Sequence, residues 1–548
     1  MHVTSRFFGK SMKFRIWGLA VLGMTAVIAA SCGGSSSGPP ALKGNTTVIL
    51  TLSSTANDQL SQFDINLTSL SLTTQAGKTV NLFTTGQNPE FIHLNGREEP
   101  LLTVSVPQDI YTTANITVGN SGFSCLTLTP SGGLVLSLFG YSNVDTPATV
   151  NLPAPITITG AAMALSLNLQ VPQSASFPSE CFVQGIVPFS ITPTFNLAAL
   201  PLSPPVAERG MKGKVVSVSP SSNGLMLALA GGIMTNIGFP SADGQKISFL
   251  TNTETVYQGI TGYSSLTAGQ LIDVDAVIQA DGSQLATRVA VADADLTNLS
   301  VMTGPLLQTS SSAPTVISFG QQDQGYLWSA GRAGNYMPYS FDAADFRIAE
   351  VANLQDLPFV PRFDATTMFA GQFVYVSSHA TILQNWPIYF PATVITLIPQ
   401  TINGTIVGIA GDGGSKKDYR VMLSAYELMP TLAVQAGQTT VLTDPTEMEV
   451  YVDSQTRLRN TQPLNLGSVA RFNGLLFNDN GILRMACLQL DNGTAVDPAP
   501  ARVDSRQALA NEQGTVTTRV SVDPVSGSVK VLHQRLGKTS PASVSDVP

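Results

Sequence analysis

Histidine, cysteine, tryptophan and charge are all scarce in this chain. Four histidines occur in 548 residues: His2, His93, His379 and His533. They show no H-x-x-H or H-E-x-x-H spacing. A zinc centre or a Ser-His-Asp triad needs several such groups converging in space, so no metal, no cofactor and no catalytic residue is expected. The four cysteines, Cys32, Cys125, Cys181 and Cys487, form no C-x-x-C, which removes zinc-ribbon and thioredoxin readings. Only 12% of residues are charged, with 36 acidic against 28 basic and a net charge of −8. An acidic chain has no electrostatic footprint for nucleic acid. The apolar run at 16–30 is shorter than the roughly 20 residues of a membrane-spanning helix.

What is abundant is Thr, Ser, Val, Leu, Gly and Pro, the profile of a β-rich, turn-rich exported protein. Before Cys32 stand four cations, Arg6, Lys10, Lys13 and Arg15, and no acid. A positive segment, a short apolar segment and small residues make up a secretory signal peptide. Met12 is an alternative start. The sequence Ala29-Ala30-Ser31-Cys32 resembles the lipobox of bacterial lipoproteins, which usually carries Leu where Ala29 stands. The resemblance implies cleavage before Cys32, lipidation of that cysteine and anchoring to a membrane. An ordinary cleaved signal beside a chance cysteine is the other reading. The following GGSSSGPP fits a flexible tether, and the resemblance to bacterial lipoproteins, in which Asp after the cysteine retains the protein at the inner membrane, implies outer-membrane delivery for a chain with Gly33 there.

Domain organisation follows from hydrophobic alternation and repeats. Period-two patterns in TVILTLS, FDINLTSLSL, KTVNLFT, LLTVSVP and TTANITVG predict an antiparallel β-sandwich over 45–200. These motifs, with Pro107-Gln108-Asp109-Ile110-Tyr111, resemble an uncharacterised family of bacterial envelope-lipoprotein domains, which has no assigned activity. Cys125 and Cys181 both fall in this domain, and export leaves two readings open, a disulfide or two separately buried thiols. A Pro-rich linker is assigned to 201–210. Beyond it, LTAGQLIDVDAVIQADGSQLATRVA (266–290) repeats as LNLGSVARFNGLLFNDNGILRMACL (464–488), with AGQFVYV (370–376) between them. The unit starts recur at Gly213, Gly304 and Gly404. Glycine before the apolar strand predicts a positive-φ turn or a bulge, and Asp-Gly and Asn-Gly predict tight hairpin tips.

Short curved strands in this order predict small barrels of the oligonucleotide/oligosaccharide-binding type: 211–296, 297–400 with an insertion, and 401–492. The organisation resembles a second uncharacterised family, tandem β-barrel domains of bacterial exported proteins. Unrelated sandwiches with similar turns are the alternative. Residues 493–548 read as a linker, a hairpin and a disordered tail. The expected fold class is therefore all-β: a sandwich followed by three OB-like barrels.

Chemistry is harder to place. Gly34-Ser35-Ser36-Ser37-Gly38 matches G-x-S-x-G but lies in the tether, not on a strand-to-helix turn. Gly411-Asp412-Gly413-Gly414-Ser415-Lys416 lacks the phosphate-loop spacing. Asp273 and Asp275 are read as solvent-facing on an edge, with calcium a minor option. Cys487, in MACLQL, is read as a buried small hydrophobe, and His93 as a polar residue at a strand end. The insertion 319–346 holds Tyr326, Trp328, Tyr336 and Tyr339, and Trp386 follows in NWPIYF. Aromatics among planar amides on loops suit sugar or protein contacts; a cover over the barrel core is the competing reading. The sequence thus points to a non-enzymatic, lipid-anchored envelope protein that binds a glycan or another envelope protein. A hydrolase with an inter-domain carboxylate site and a passive spacer are the alternatives.

Overall fold

The computed structural model describes residues 42–55, 60–128, 134–141, 146–176, 190–202, 206–229, 246–291, 293, 295, 299–310, 315–319, 322–325, 336–350, 354–379, 390–411, 417–424, 428–433, 442–459, 463–492, 516–522, 529–535 and 543–547. Nearly all of them are β-structure. The described residues from Lys43 onward belong to one compact unit.

The first sheet has ten strands. Asn45–Ser54 pairs antiparallel with Glu99–Pro107 and parallel with Ala162–Leu169, and the twenty-residue strand Asp109–Leu128 pairs with Leu60–Thr74. Residues from both layers, among them Leu50, Phe63, Ile65, Leu167 and Phe195, share one buried core. The motif Pro107 to Tyr111 now has a physical reason. The Tyr111 ring is buried and its hydroxyl donates to the Pro107 carbonyl at 2.9 Å, which closes the corner between two strands. The other face of Asn45–Ser54 is not solvated either. Ile49 and Ala164 pack on Val206 and Ile278 of the next sheet.

Three further sheets share one pairing scheme. In the first, Val206–Ser219, Gly224–Leu229, Lys246–Leu250, Leu271–Ile278 and Gln284–Val291 pair in the order one-two-three-five-four-one, and the closing pair of strands three and five is parallel. This is the five-stranded Greek-key barrel of the OB type. Ser300–Ser310, Thr315–Phe319, Tyr336–Ser340, Phe373–Ser378 and Phe390–Leu397 pair in the same cyclic order. So do Gln400–Gly411, Lys417–Leu423, Glu447–Val452, Val469–Asp479 and Ile482–Asp491. In each, a short extra strand lies parallel to strand five: Val256–Gln258, Asp345–Ile348 and Arg457–Arg459.

The repeat glycines hold the same place in all three. Gly269, Gly371 and Gly467 have φ of 93°, 99° and 85°. Their amides donate to Val215, Leu306 and Ile406 carbonyls at 2.8, 2.7 and 2.8 Å. The positive-φ turn expected from the sequence is thus present, as are the tips Asp281-Gly282 and Asn480-Gly481. A β-carbon on Gly371 would fall 2.5 Å from Met429 Cγ and 3.0 Å from its Cα. Gly371→Ala combines a positive φ with overpacking and is expected to cost about 2 kcal/mol. A melting temperature equal to wild type would show that the neighbouring helix yields freely.

Two boundaries differ from expectation. The first barrel begins at Val206, inside the stretch read as a linker, because Val206 and Ala207 are buried and pair with the fourth strand. At the C-terminus, Val516–Val522 pairs antiparallel with Val529–Arg535, which pairs in turn with Ser543–Val547, within the stretch read as a disordered tail. Its alternating SVSDV suits an edge strand.

Candidate functional site

The polar heart of the molecule lies where the sandwich meets the barrels. It begins with a bulge. On the opening strand of the first barrel, Glu208 pairs with Ala276 and Met211 with Val274, so Arg209 and Gly210 together oppose Asp275. Such a bulge bends the strand and re-aims its side chains. The released Gly210 amide donates to Asp275 Oδ1 at 2.7 Å. Gly210 has φ of 64°, and a β-carbon there would fall 2.6 Å from Arg97 Nη1. Glycine therefore makes room for a guanidinium arriving from the sandwich.

Asp273 and Asp275 correct the expectation of a solvent-facing pair. Both are buried. Arg288 donates from Nη2 to Asp273 at 2.6 Å and from Nε to Asp275 at 2.9 Å, and Lys212 donates to Asp273 at 3.2 Å. Period-two spacing put both carboxylates on one strand face, but that face meets cations of the neighbouring strands rather than water or calcium. Burial opposes the Asp275 charge, yet Arg288 outweighs it and holds the group at about 2. Lys212, 1% exposed, has its Nζ 3.9 Å from the centre of the Tyr375 ring of the middle barrel. Burial lowers its pKa to about 8.

The sandwich contributes a second cluster. His93 Nδ1 lies 2.7 Å from Glu90 and Nε2 2.9 Å from Glu99. Burial disfavours the imidazolium, but the two carboxylates overcome it and raise its pKa to about 9. Next along the chain, Arg97 donates to the Pro399 carbonyl at 2.7 Å and lies 5.6 Å from the Phe373 ring centre. Beside it, the backbone at Gly96 packs against Thr401 and Arg471. The middle barrel in turn docks on the third through Phe359, whose ring meets Phe477 and Tyr451 at 5.6 Å each.

Where the three barrels meet opens a cleft of about 570 Å³. Its lining includes Glu208, Arg209, Asp275, Arg288, Glu350 and Arg457. Glu208 is 0% exposed and neither carboxyl oxygen has a hydrogen-bond partner. Burial first, then the charges of Glu98 and Glu99, push its pKa well above the usual range. Arg209 Nε is also buried without a partner. A second hollow, of about 710 Å³, is bordered by Asp293, Asp345, Arg347 and Glu350, and Asp293 meets His379 at 2.6 Å. Among the described residues, no group of three His, Cys, Asp or Glu converges as metal ligands.

Of the aromatic candidates, Tyr339 is a core residue. It is 2% exposed, its ring lies 6.4 Å from Phe390, and its hydroxyl points to Met302 Sδ at 3.6 Å. It covers the barrel interior and offers no face to a ligand. Tyr336 opens the Tyr336–Ser340 strand and Cys125 lies in Asp109–Leu128. The side chains of these two lie outside the described residues, as do Cys32, Cys181, Tyr326, Trp328 and Trp386. Cys487 is buried, as expected, and its thiol is pushed up to about 12. The residues missed at the sequence level are the cations Arg97, Arg209, Lys212, Arg288 and Arg457. The available signal was Glu208-Arg209-Gly210 inside an apolar-flanked strand start, and Arg288 one hairpin away from the Asp273/Asp275 pair.

A family described as a domain of unknown function (DUF5666) matches residues 232–290. The match reaches across strands three, four and most of five of the first barrel. No curated protein matches the chain at a significant level. Fold and match together define an all-β protein that carries a domain of unknown function within a closed five-stranded barrel.

Proposed function

We propose that this protein is a lipid-anchored, non-enzymatic binding or scaffolding protein of a bacterial cell envelope, probing a glycan or envelope-protein ligand with its barrels. The observation that carries the reading is the open polar cleft where the barrels meet, lined by Arg209, Arg457 and the ion-paired Arg288 and Asp275. OB-type barrels as a class bind oligosaccharides and oligonucleotides. The cationic start, the apolar segment, Ala29-Ala30-Ser31-Cys32 and the Gly/Ser tether support the anchor at Cys32.

One observation favours a hydrolase instead. Glu208, with a raised pKa, and Asp275, with a lowered one, line the same cleft, and such a split is how carboxylates divide acid and base roles. Two facts weigh against it. Asp275 is occupied by Arg288 and Gly210, and the Glu208 oxygens are closed to solvent.

Intact mass and membrane fractionation of the native protein beside Cys32→Ala test the anchor. A mature chain starting at Cys32, with added acyl mass and released from membranes by the substitution, is expected. A soluble, unmodified chain cut elsewhere would sink it and move the protein to a secreted or periplasmic role.

A further inference from the structure

Lys212 and Asp273 stand directly opposite each other on antiparallel neighbours, Val206–Ser219 and Leu271–Ile278. The bulge at Arg209 and Gly210 sets this pairing: without its extra residue, Met211 would face Asp273. Both side chains are almost fully buried, at 1% and 2% exposure, and Nζ lies 3.2 Å from Oδ2. The Tyr375 ring of the middle barrel covers Nζ, 3.9 Å from the ring centre. Arg288 Nη2 donates to the other carboxylate oxygen, Oδ1, at 2.6 Å. A nitrogen nucleophile touching a carboxyl group, a donor on the oxygen where charge would collect, and exclusion of bulk water are the elements of acyl transfer.

Burial supplies the drive. Two charges held out of water cost free energy that their attraction repays only in part. Burial outweighs the attraction of Asp273 and lowers the Lys212 pKa to about 8, which brings the neutral, nucleophilic amine closer to neutral pH. We propose that Lys212 and Asp273 join in an amide between Nζ and Cγ, cross-linking the first and fourth strands of the first barrel. Nζ passes a proton to Oδ2 and attacks Cγ. Negative charge gathers on Oδ1, against the Arg288 guanidinium. A second proton moves from the nitrogen to Oδ2, the Cγ–Oδ2 bond breaks and water leaves. One ammonium and one carboxylate give one amide and one water, with no further reactant. Two buried charges vanish, while Arg288 and Asp275 remain as a matched pair. The cross-link closes a span of 61 positions and needs neither the ligand nor the anchor. Closed chains have no Lys212 charge to titrate, so open and closed chains differ in pH dependence above about 8.

Mass spectrometry of the purified native protein, denatured and cut after Lys and Arg, tests the bond. The amide blocks cleavage at Lys212, so residues 210–214 should appear joined to 247–288, lighter by one water than the two peptides together. Lys212→Arg keeps the charge but offers no amine, and should release 247–288 as a separate peptide. Arg288→Gln should slow closure by about 100-fold, the effect of one donor on a developing oxyanion, followed in chains collected at intervals after synthesis. Folded wild-type protein that yields free 210–212 and free 247–288 throughout would overturn the proposal. So would an amide joining Lys212 to Asp275 instead, or folded Arg288→Gln closing at the wild-type rate. Wild type and Lys212→Arg decide the existence of the bond even where Arg288→Gln fails to fold.

Discussion

Arg288→Met is expected to destabilise the protein by about 3–5 kcal/mol, the cost of leaving buried carboxylates without their counter-charge. Arg288 is 4% exposed and serves two aspartates at once. Lys212 still reaches Asp273 in the variant, but Asp275 keeps only the hydrogen bond from the Gly210 amide and the more distant charge of Arg209. Arg288→Lys should recover a minor part, since one ammonium cannot span two carboxylates as the fork does. Denaturant unfolding of wild type, Arg288→Met and the triple variant Arg288→Met/Asp273→Leu/Asp275→Leu separates pairing from packing. If the single variant alone lost less than about 1 kcal/mol, the pairs would behave as surface ion pairs and the buried network would be refuted.

The second large effect is a pH dependence centred on His93. Its pKa is about 9 in the folded chain against 6.5 for the free side chain. The folded state therefore holds the proton more tightly, so the stabilisation is fully present below pH 6.5 and is lost as pH rises through 9. Between pH 6.5 and 8 the loss is about 1.5–2 kcal/mol. Lys212, with its pKa lowered to about 8, acts in the opposite sense above that pH, which is why the window stops there. Glu98 and Glu208, both raised by burial, pull in the same direction as His93. The decisive quantity is thus the difference between wild type and His93→Gln. The variant should be less stable at pH 6.5 by about 3 kcal/mol, with the gap closing towards pH 8. A gap independent of pH would mean that the imidazole is neutral and merely packed.

Architecture was legible in the sequence because it is written in local terms. The glycines 269, 371 and 467 and the tips at 281–282 and 480–481 are forced by backbone conformation, and a backbone constraint reads the same in every copy. Strand alternation was legible wherever one face met solvent. It misled at Asp273 and Asp275, where the second face meets another barrel. It also hid the start of the first barrel, since Val206 packs on the sandwich and not within a recognisable amphipathic pattern. The candidate cleft was invisible for the same reason. Its lining comes from residues 207–209, 256, 275–277, 287–288, 350, 455 and 457, segments that nothing in the sequence brings together. The sequence-level candidates were chosen for being aromatic, and the one whose side chain is described, Tyr339, turned inward because its ring was needed against Phe390.

The contact from Arg97 to the Pro399 carbonyl spans 302 positions of chain, and this has a consequence for the order of assembly. The N-terminal sheet can close its own core as soon as residue 200 has emerged. The guanidinium that projects from it gains its acceptor only after two barrels have been made. Contacts of such separation are slow to form and late in folding. A chain threaded across a membrane from its N-terminus would thus arrive with its first sheet formed and its junction open, and would become rigid only on completion. Chains truncated before residue 399 should consequently leave Arg97 and His93 open to proteases that the complete chain resists.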